Sequence, residues 1–125
     1  MDTADDLRTK SCRPCEGGIP AISAEHARKL VGSLRGWTLS DDARRISRKL
    51  VFRDFRAAVE FLNRVAELAE RENHHPDMHL VGYRNLSIEL TTHAIGGLSE
   101  NDFILAAKID ELPFEEYVPP KKKNK

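Results

Sequence analysis

Cysteine, long apolar runs and net charge are all scarce in this chain of 125 residues, and each scarcity removes a class of protein. Its two cysteines, Cys12 and Cys15, form a single C-x-x-C with no second pair to complete a zinc site, and His26 is the one further ligand nearby. They read as two free thiols in a loose N-terminal arm. No apolar run approaches the roughly 18 residues of a membrane span. The first twenty residues carry Asp2, Asp5 and Asp6 rather than the basic-then-apolar order of a secretory signal or the acid-poor order of a transit segment, so cytoplasm is the expected compartment. Twenty basic residues balance twenty acidic ones. Lys121, Lys122, Lys123 and Lys125 concentrate part of the positive charge at one end, leaving the body mildly acidic, a balance that gives no reason to expect a nucleic acid partner. Repeats and internal linkers are missing too.

What remains is one patterned region. The first eighteen residues are polar and end in Gly17-Gly18, and the last eight read VPPKKKNK; both are expected to be disordered. The division is therefore a flexible arm over 1–18, a single domain over 19–117 and a disordered basic tail over 118–125. A domain of this size buries roughly two-thirds of the surface of its unfolded chain and needs no covalent staple.

Within the domain Ser23 caps a helix carrying Ala27, Leu30, Val31 and Leu34, with Gly36 after its end. From Trp37 to Phe52 apolar residues alternate around Asp41-Asp42-Ala43, which reads as a hairpin. Asp54 then caps the longest helix, with Phe55, Ala58, Val59, Leu62, Val65, Ala66 and Ala69 on its expected apolar face, ending near Glu72. Two further strands flank Gly82, the second ending at His93 on its polar face. Ser99 with Asp102 three residues on announces a capping box and a last helix bearing Phe103, Ala106, Ala107, Ile109 and Asp110. The order helix, strand, strand, helix, strand, strand, helix predicts an α+β fold: a four-stranded antiparallel sheet with three helices packed on one face.

Chemistry concentrates in residues 73–79, NHHPDMH, where His74, His75 and His79 stand within six positions in a chain of five histidines. Imidazole exchanges protons near neutral pH and also binds transition metals. Three readings stay open on pattern alone. A metal site would draw on His74, His75, His79 and His93 with Glu70, Glu72 or Asp77, but adjacent residues in an extended chain point to opposite sides, and no H-E-x-x-H spacing converges two rings. A solvated cluster and an acid/base site are the alternatives. Pro76 disfavours helical geometry at His75, so the histidine pair falls where a helix gives way to extended chain.

Four separated motifs, the F-x-D-F start of the long helix, HHPD, the strand-end TTH and GGLSENDFILAAKID, occur in an order that resembles the pterin-4a-carbinolamine dehydratase family, with GWTL and VAELAE in further agreement. The likeness runs from about Cys12 to Leu112. Met78 stands where many members carry tryptophan, and the longer HLVGYRN segment is similar to plant and some bacterial branches, which share the N-terminal C-x-x-C.

The resemblance implies dehydration of a 4a-hydroxytetrahydropterin to quinonoid dihydropterin by histidine acid/base catalysis, as in tetrahydropterin recycling, with no metal and no cofactor. It implies His74, His75 and His93 as catalytic residues, Glu70 and Asp102 as supporting carboxylates, and Pro76, Thr92, Ala94 and Ile95 beside the histidines as pterin contacts. His79 and His26 are expected to be surface residues. The family likeness further implies a pterin as the small-molecule partner, a homodimer or homotetramer, and a functional link to an aromatic amino acid hydroxylase. Membrane and nucleic acid are not expected partners. Two alternatives travel with it: a non-enzymatic dimerisation or transcriptional cofactor, and a role in molybdenum-cofactor metabolism.

Overall fold

The computed structural model describes residues 4–10, 12, 21–115 and 117. Cys15 and the tail 118–125 lie outside the described residues. Among the described residues four α-helices, α1 (Ala4–Arg8), α2 (Ala24–Gly32), α3 (Phe55–Glu72) and α4 (Glu100–Asp110), accompany four strands, β1 (Thr38–Leu39), β2 (Ile46–Val51), β3 (Asp77–Val81) and β4 (Asn85–Leu90). The strands make one antiparallel sheet in the order β1-β2-β4-β3. The α+β class and the four-stranded antiparallel sheet match the expectation from sequence.

Alternation places Ile46 and Leu50 of β2 and Leu86, Ile88 and Leu90 of β4 on one buried face, which shares a core with Leu30 of α2, Phe61 and Val65 of α3, and Phe103 and Ala107 of α4. Lys49, Asp77, His79 and Val81 alternate onto the other, exposed face. Register is fixed by the pairs Ile46 with Leu90 and Asp77 with Glu89, so β2, β3 and β4 present three of their ends side by side. The β3–β4 turn takes left-handed backbone at both Gly82 (φ +59°) and Tyr83 (φ +58°), the arrangement that suits the twist of a tight hairpin.

Three sequence expectations are corrected in detail. Helix α3 starts at its expected cap, where the Asp54 carboxylate accepts the Ala57 N–H at 2.8 Å. Its buried stripe, however, is Ala57, Ala58, Phe61, Val65, Leu68 and Ala69, and Phe55 is 56% exposed. Val59, Leu62 and Ala66 border the stripe, so two overlapping apolar lines exist on this helix and the bulkier Phe61–Leu68 line faces the core. Helix α2 closes earlier than its apolar spacing suggested, at Gly32, with Leu34 in the turn beyond. The third correction is the N-terminal arm: its residues 4–10 and 12 are docked rather than loose. Leu7 is fully buried in the core, Lys10 Nζ donates to Glu100 at 2.8 Å, and the Cys12 N–H donates to Glu72 at 2.9 Å. Covered by α1 on one side and by sheet and α3 on the other, α4 is buried nearly all round.

The docked arm gives Cys12 an inert thiol. Burial, reinforced by the Glu72 carboxylate, pushes it from 9.0 up to about 12. Because an unfolded thiol ionises near pH 9 and the folded one does not, this contribution to stability is fully present below pH 9 and is lost as pH rises towards 12. Native protein should therefore alkylate at Cys12 with iodoacetamide far more slowly than urea-unfolded protein at pH 8.5, as peptide mass analysis would show. Equal rates would contradict the docking. For Glu72 burial works upward, but the Lys108 ammonium at 2.6 Å and the Cys12 N–H outweigh it and hold the carboxyl below its usual range.

At the far end of α4 the Asp110 carboxylate is almost fully buried. It accepts from Trp37 Nε1 at 2.8 Å, from the Arg35 N–H at 3.0 Å and from the Arg48 guanidinium, which lies over the Phe114 ring at 4.8 Å. This network ties α4 to β2 and to the α2–β1 connection.

Candidate active site

The site is built where α3 stops. Asn73 adopts left-handed backbone (φ +54°), a conformation asparagine tolerates better than most residues, and the Asn73 N–H on Glu70 O with the His74 N–H on Ala69 O complete a Schellman closure. The chain then runs extended through Pro76 into β3. As alternation requires, the two adjacent histidines diverge. His74 turns inward and is 5% exposed; His75 faces solvent.

Each finds a different carboxylate. His74 Nε2 lies 2.7 Å from Asp102 Oδ1 in the first turn of α4, and His75 Nε2 lies 2.6 Å from Glu70 Oε2, one turn back along α3. Both residues expected as supporting carboxylates thus contact a histidine, Asp102 taking His74 and Glu70 taking His75. The second pair is exposed on both sides and contributes about 0–1 kcal/mol to stability, so its consequence is orientation of the ring rather than strength of the fold.

His93 is not where alternation put it. Strand β4 ends at Leu90 because its partner β2 begins at Ile46, opposite Leu90, and beyond that point the ladder has no partner. Thr91 Oγ1 instead donates to the Arg44 carbonyl of the β1–β2 turn at 2.6 Å. The chain folds into a single 3₁₀ turn, His93–Ile95, closed by left-handed Gly96 (φ +64°) and by a bridge between Thr92 and Gly97. His93 is exposed at the start of this turn.

The turn and the α3 terminus face each other across an open cleft of about 260 Å³ lined by Asn73, His74, His75, Thr91, Thr92, His93 and Ala94. All three histidines implied as catalytic line it, as do Thr92 and Ala94. Pro76 and Ile95, expected among the contacts, are half-buried next to it and outside that lining. Asn73 and Thr91 were missed from sequence; an asparagine just past a helix end is the signal that would have found the first. His79 points from the exposed face of the sheet, away from this group, and among the described residues no three His, Cys, Asp or Glu side chains converge to hold a metal ion.

The ring nitrogens are unequally engaged. Nδ1 of His75 and both nitrogens of His93 have no protein hydrogen bond among the described residues, whereas His74 Nε2 is committed to Asp102. A larger cleft of about 490 Å³, between α1 and the ends of α3 and α4, is lined by Arg8, Glu72 and Lys108 and has no histidine in its lining. The three histidines of the α3 terminus and the 3₁₀ turn line the smaller one.

An α+β domain with imidazoles open to a cleft, two of them backed by carboxylates, defines a protein equipped for proton transfer to a small ligand. Residues 20–112 match the family model described as pterin 4 alpha carbinolamine dehydratase, and the chain belongs to that family of hydro-lyases. A relative from Nitrosomonas eutropha named for the same family is 51% identical over 90% of this chain and 97% of its own length. The pterin-4-alpha-carbinolamine dehydratase 2, mitochondrial, of Arabidopsis thaliana is 47% identical over 94% of this chain and 64% of its own. Among solved structures, a transcriptional coactivator/pterin dehydratase from Brucella melitensis superposes with a TM-score of 0.67 at 29% identity, covering 72% of this chain and 95% of that one. Among the described residues no helix is long and apolar enough to cross a membrane.

Proposed function

We propose that this protein dehydrates 4a-hydroxytetrahydropterins in the cleft between the α3 terminus and the His93 turn. The reaction breaks the C4a–O bond and the N5–H bond. A general acid protonates the departing hydroxyl, which leaves as water, and a general base takes the N5 proton, whose bonding electrons form the C4a=N5 double bond of the quinonoid product. Histidines can perform both transfers near neutral pH.

The observation that carries this reading is the set of ring nitrogens in the cleft lining that have no protein hydrogen bond among the described residues. His75 and His93 line the cleft, His75 Nδ1 and both nitrogens of His93 have no protein hydrogen bond among the described residues, and Glu70 holds the His75 ring through Nε2, which supports proton exchange with a ligand at these two rings. His74, buried and held by Asp102, lines the same cleft. The relatives' names support the choice of a pterin carbinolamine over other small ligands.

The test is dehydration of a freshly generated carbinolamine by the His93→Ala variant. A fall of about 10²–10⁴-fold in kcat with unchanged circular dichroism is expected. An undiminished rate would remove His93 from the chemistry.

A further inference from the structure

Behind His74 lies a second layer that the proposed chemistry does not use. Asp102 is fully buried and its two oxygens are both occupied: Oδ1 by His74 Nε2 at 2.7 Å, and Oδ2 by the Thr92 hydroxyl at 2.8 Å and the Ser99 N–H at 3.0 Å. The Thr92 hydroxyl is also 2.7 Å from the Ser99 hydroxyl. All four residues are buried, so water does not compete for these bonds.

Counting protons gives the chain a direction. Asp102 Oδ2 accepts from both the Ser99 N–H and the Thr92 hydroxyl, and a hydroxyl carries one proton. That proton being spent, the contact with Ser99 requires Ser99 to donate to Thr92. The relay therefore runs from Ser99 through Thr92 to Asp102, and a proton on His74 Nε2 is the arrangement in which Asp102 accepts at both of its oxygens. Thr92 is tied twice over. Its hydroxyl orients Asp102, and its backbone pairs with Gly97 at 2.8 Å to close the turn that begins at His93.

We infer that Ser99 and Thr92 are positioning residues whose one-way hydroxyl relay locks Asp102, fixes His74 with its proton on Nε2, and sets the spacing between His74 and His93. The consequence for turnover rests on the dehydratase reading, whereas the state of His74 does not. Buried polar networks of this kind specify one arrangement when every member is satisfied and cost stability when one is lost. In Ser99 the relay is joined to the cap of α4, so a residue that looks like a helix start in sequence also serves the histidine.

The experiment is two-bond proton–nitrogen correlation NMR on the full chain labelled with ¹⁵N, with the His74 signals assigned by their absence in His74→Gln, alongside stopped-flow dehydration. In the wild type His74 is expected to carry its proton on Nε2. In Thr92→Val, which keeps the shape of the side chain and removes the hydroxyl, that signal should broaden or move, and kcat should fall on the order of tenfold to a hundredfold with KM little changed. Thr92→Ser should restore both. Ser99→Gly, which loses the hydroxyl at an N-cap position where glycine costs only a few tenths of a kcal/mol, should give the same spectral change and carries the test if Thr92→Val does not fold.

A wild-type His74 protonated on Nδ1 alone would overturn the inference. So would a Thr92→Val or Ser99→Gly variant with the wild-type His74 spectrum. The two readings separate cleanly: a wild-type Nε2 proton that depends on Thr92, in a protein without dehydratase activity, upholds the relay and rejects the function, and the converse pattern does the reverse.

Discussion

Replacing His75 by alanine should lower kcat for carbinolamine dehydration by about 10²–10⁴-fold, the range that one positioned acid or base contributes. The fold should not notice. The His75 side chain is 55% exposed and its only described partner, Glu70, is 76% exposed, so the pair belongs to the surface class whose loss shifts stability by no more than about 1 kcal/mol. Activity and stability are thus separable at this position, as they are not at buried His74. Glu70→Gln, which can still hydrogen-bond the ring, should lose less rate than His75→Ala. The check is stopped-flow kinetics with urea unfolding of the same preparations. A His75→Ala variant of full activity would end the assignment, and one that unfolds would show that the exposed geometry is not the solution state.

The largest effect on stability is expected at the opposite end of α4. Asp110→Ala should destabilise the protein by about 3–5 kcal/mol, because it strands the buried Arg48 guanidinium and leaves Trp37 Nε1 and the Arg35 N–H without their acceptor. The cost is that of an uncompensated charge, not the worth of an ion pair. Removing both charges together, as in Arg48→Met with Asp110→Leu, should therefore cost less than Asp110→Ala alone. Urea midpoints at constant slope would decide it. A loss below about 1 kcal/mol for Asp110→Ala would mean that water reaches Arg48 and that the network is open.

Much of this architecture was legible because it is written locally. Asp54 announces α3, Gly82 announces the hairpin turn, Ser99 with Asp102 announces α4, and the alternation of Leu86, Ile88 and Leu90 announces the inner strand. What could not be read is set by tertiary partners. Leu7 is one apolar residue in a polar segment, and only the presence of α4 makes it core. The choice between the Phe55 and Phe61 lines on α3 depends on what lies beneath the helix. His93 lies beyond the strand because the β2–β4 ladder ends at the Ile46–Leu90 pair, a matter of register rather than of residue type.

The site divides in the same way. The histidines and both carboxylates were visible as residue types capable of the chemistry, and Pro76 marked the end of helical geometry. Which carboxylate serves which ring follows from the left-handed turn at Asn73, and the hydroxyls of Thr92 and Ser99 acquire meaning only once β4 and α4 are side by side.

The central claim, an acid/base histidine cleft that dehydrates a pterin carbinolamine, is tested most directly by stopped-flow measurement of 4a-hydroxytetrahydropterin dehydration with purified, chelator-treated protein against the uncatalysed rate in the same buffer. Rapid turnover that survives the chelator is the predicted result. A rate no faster than buffer would contradict it.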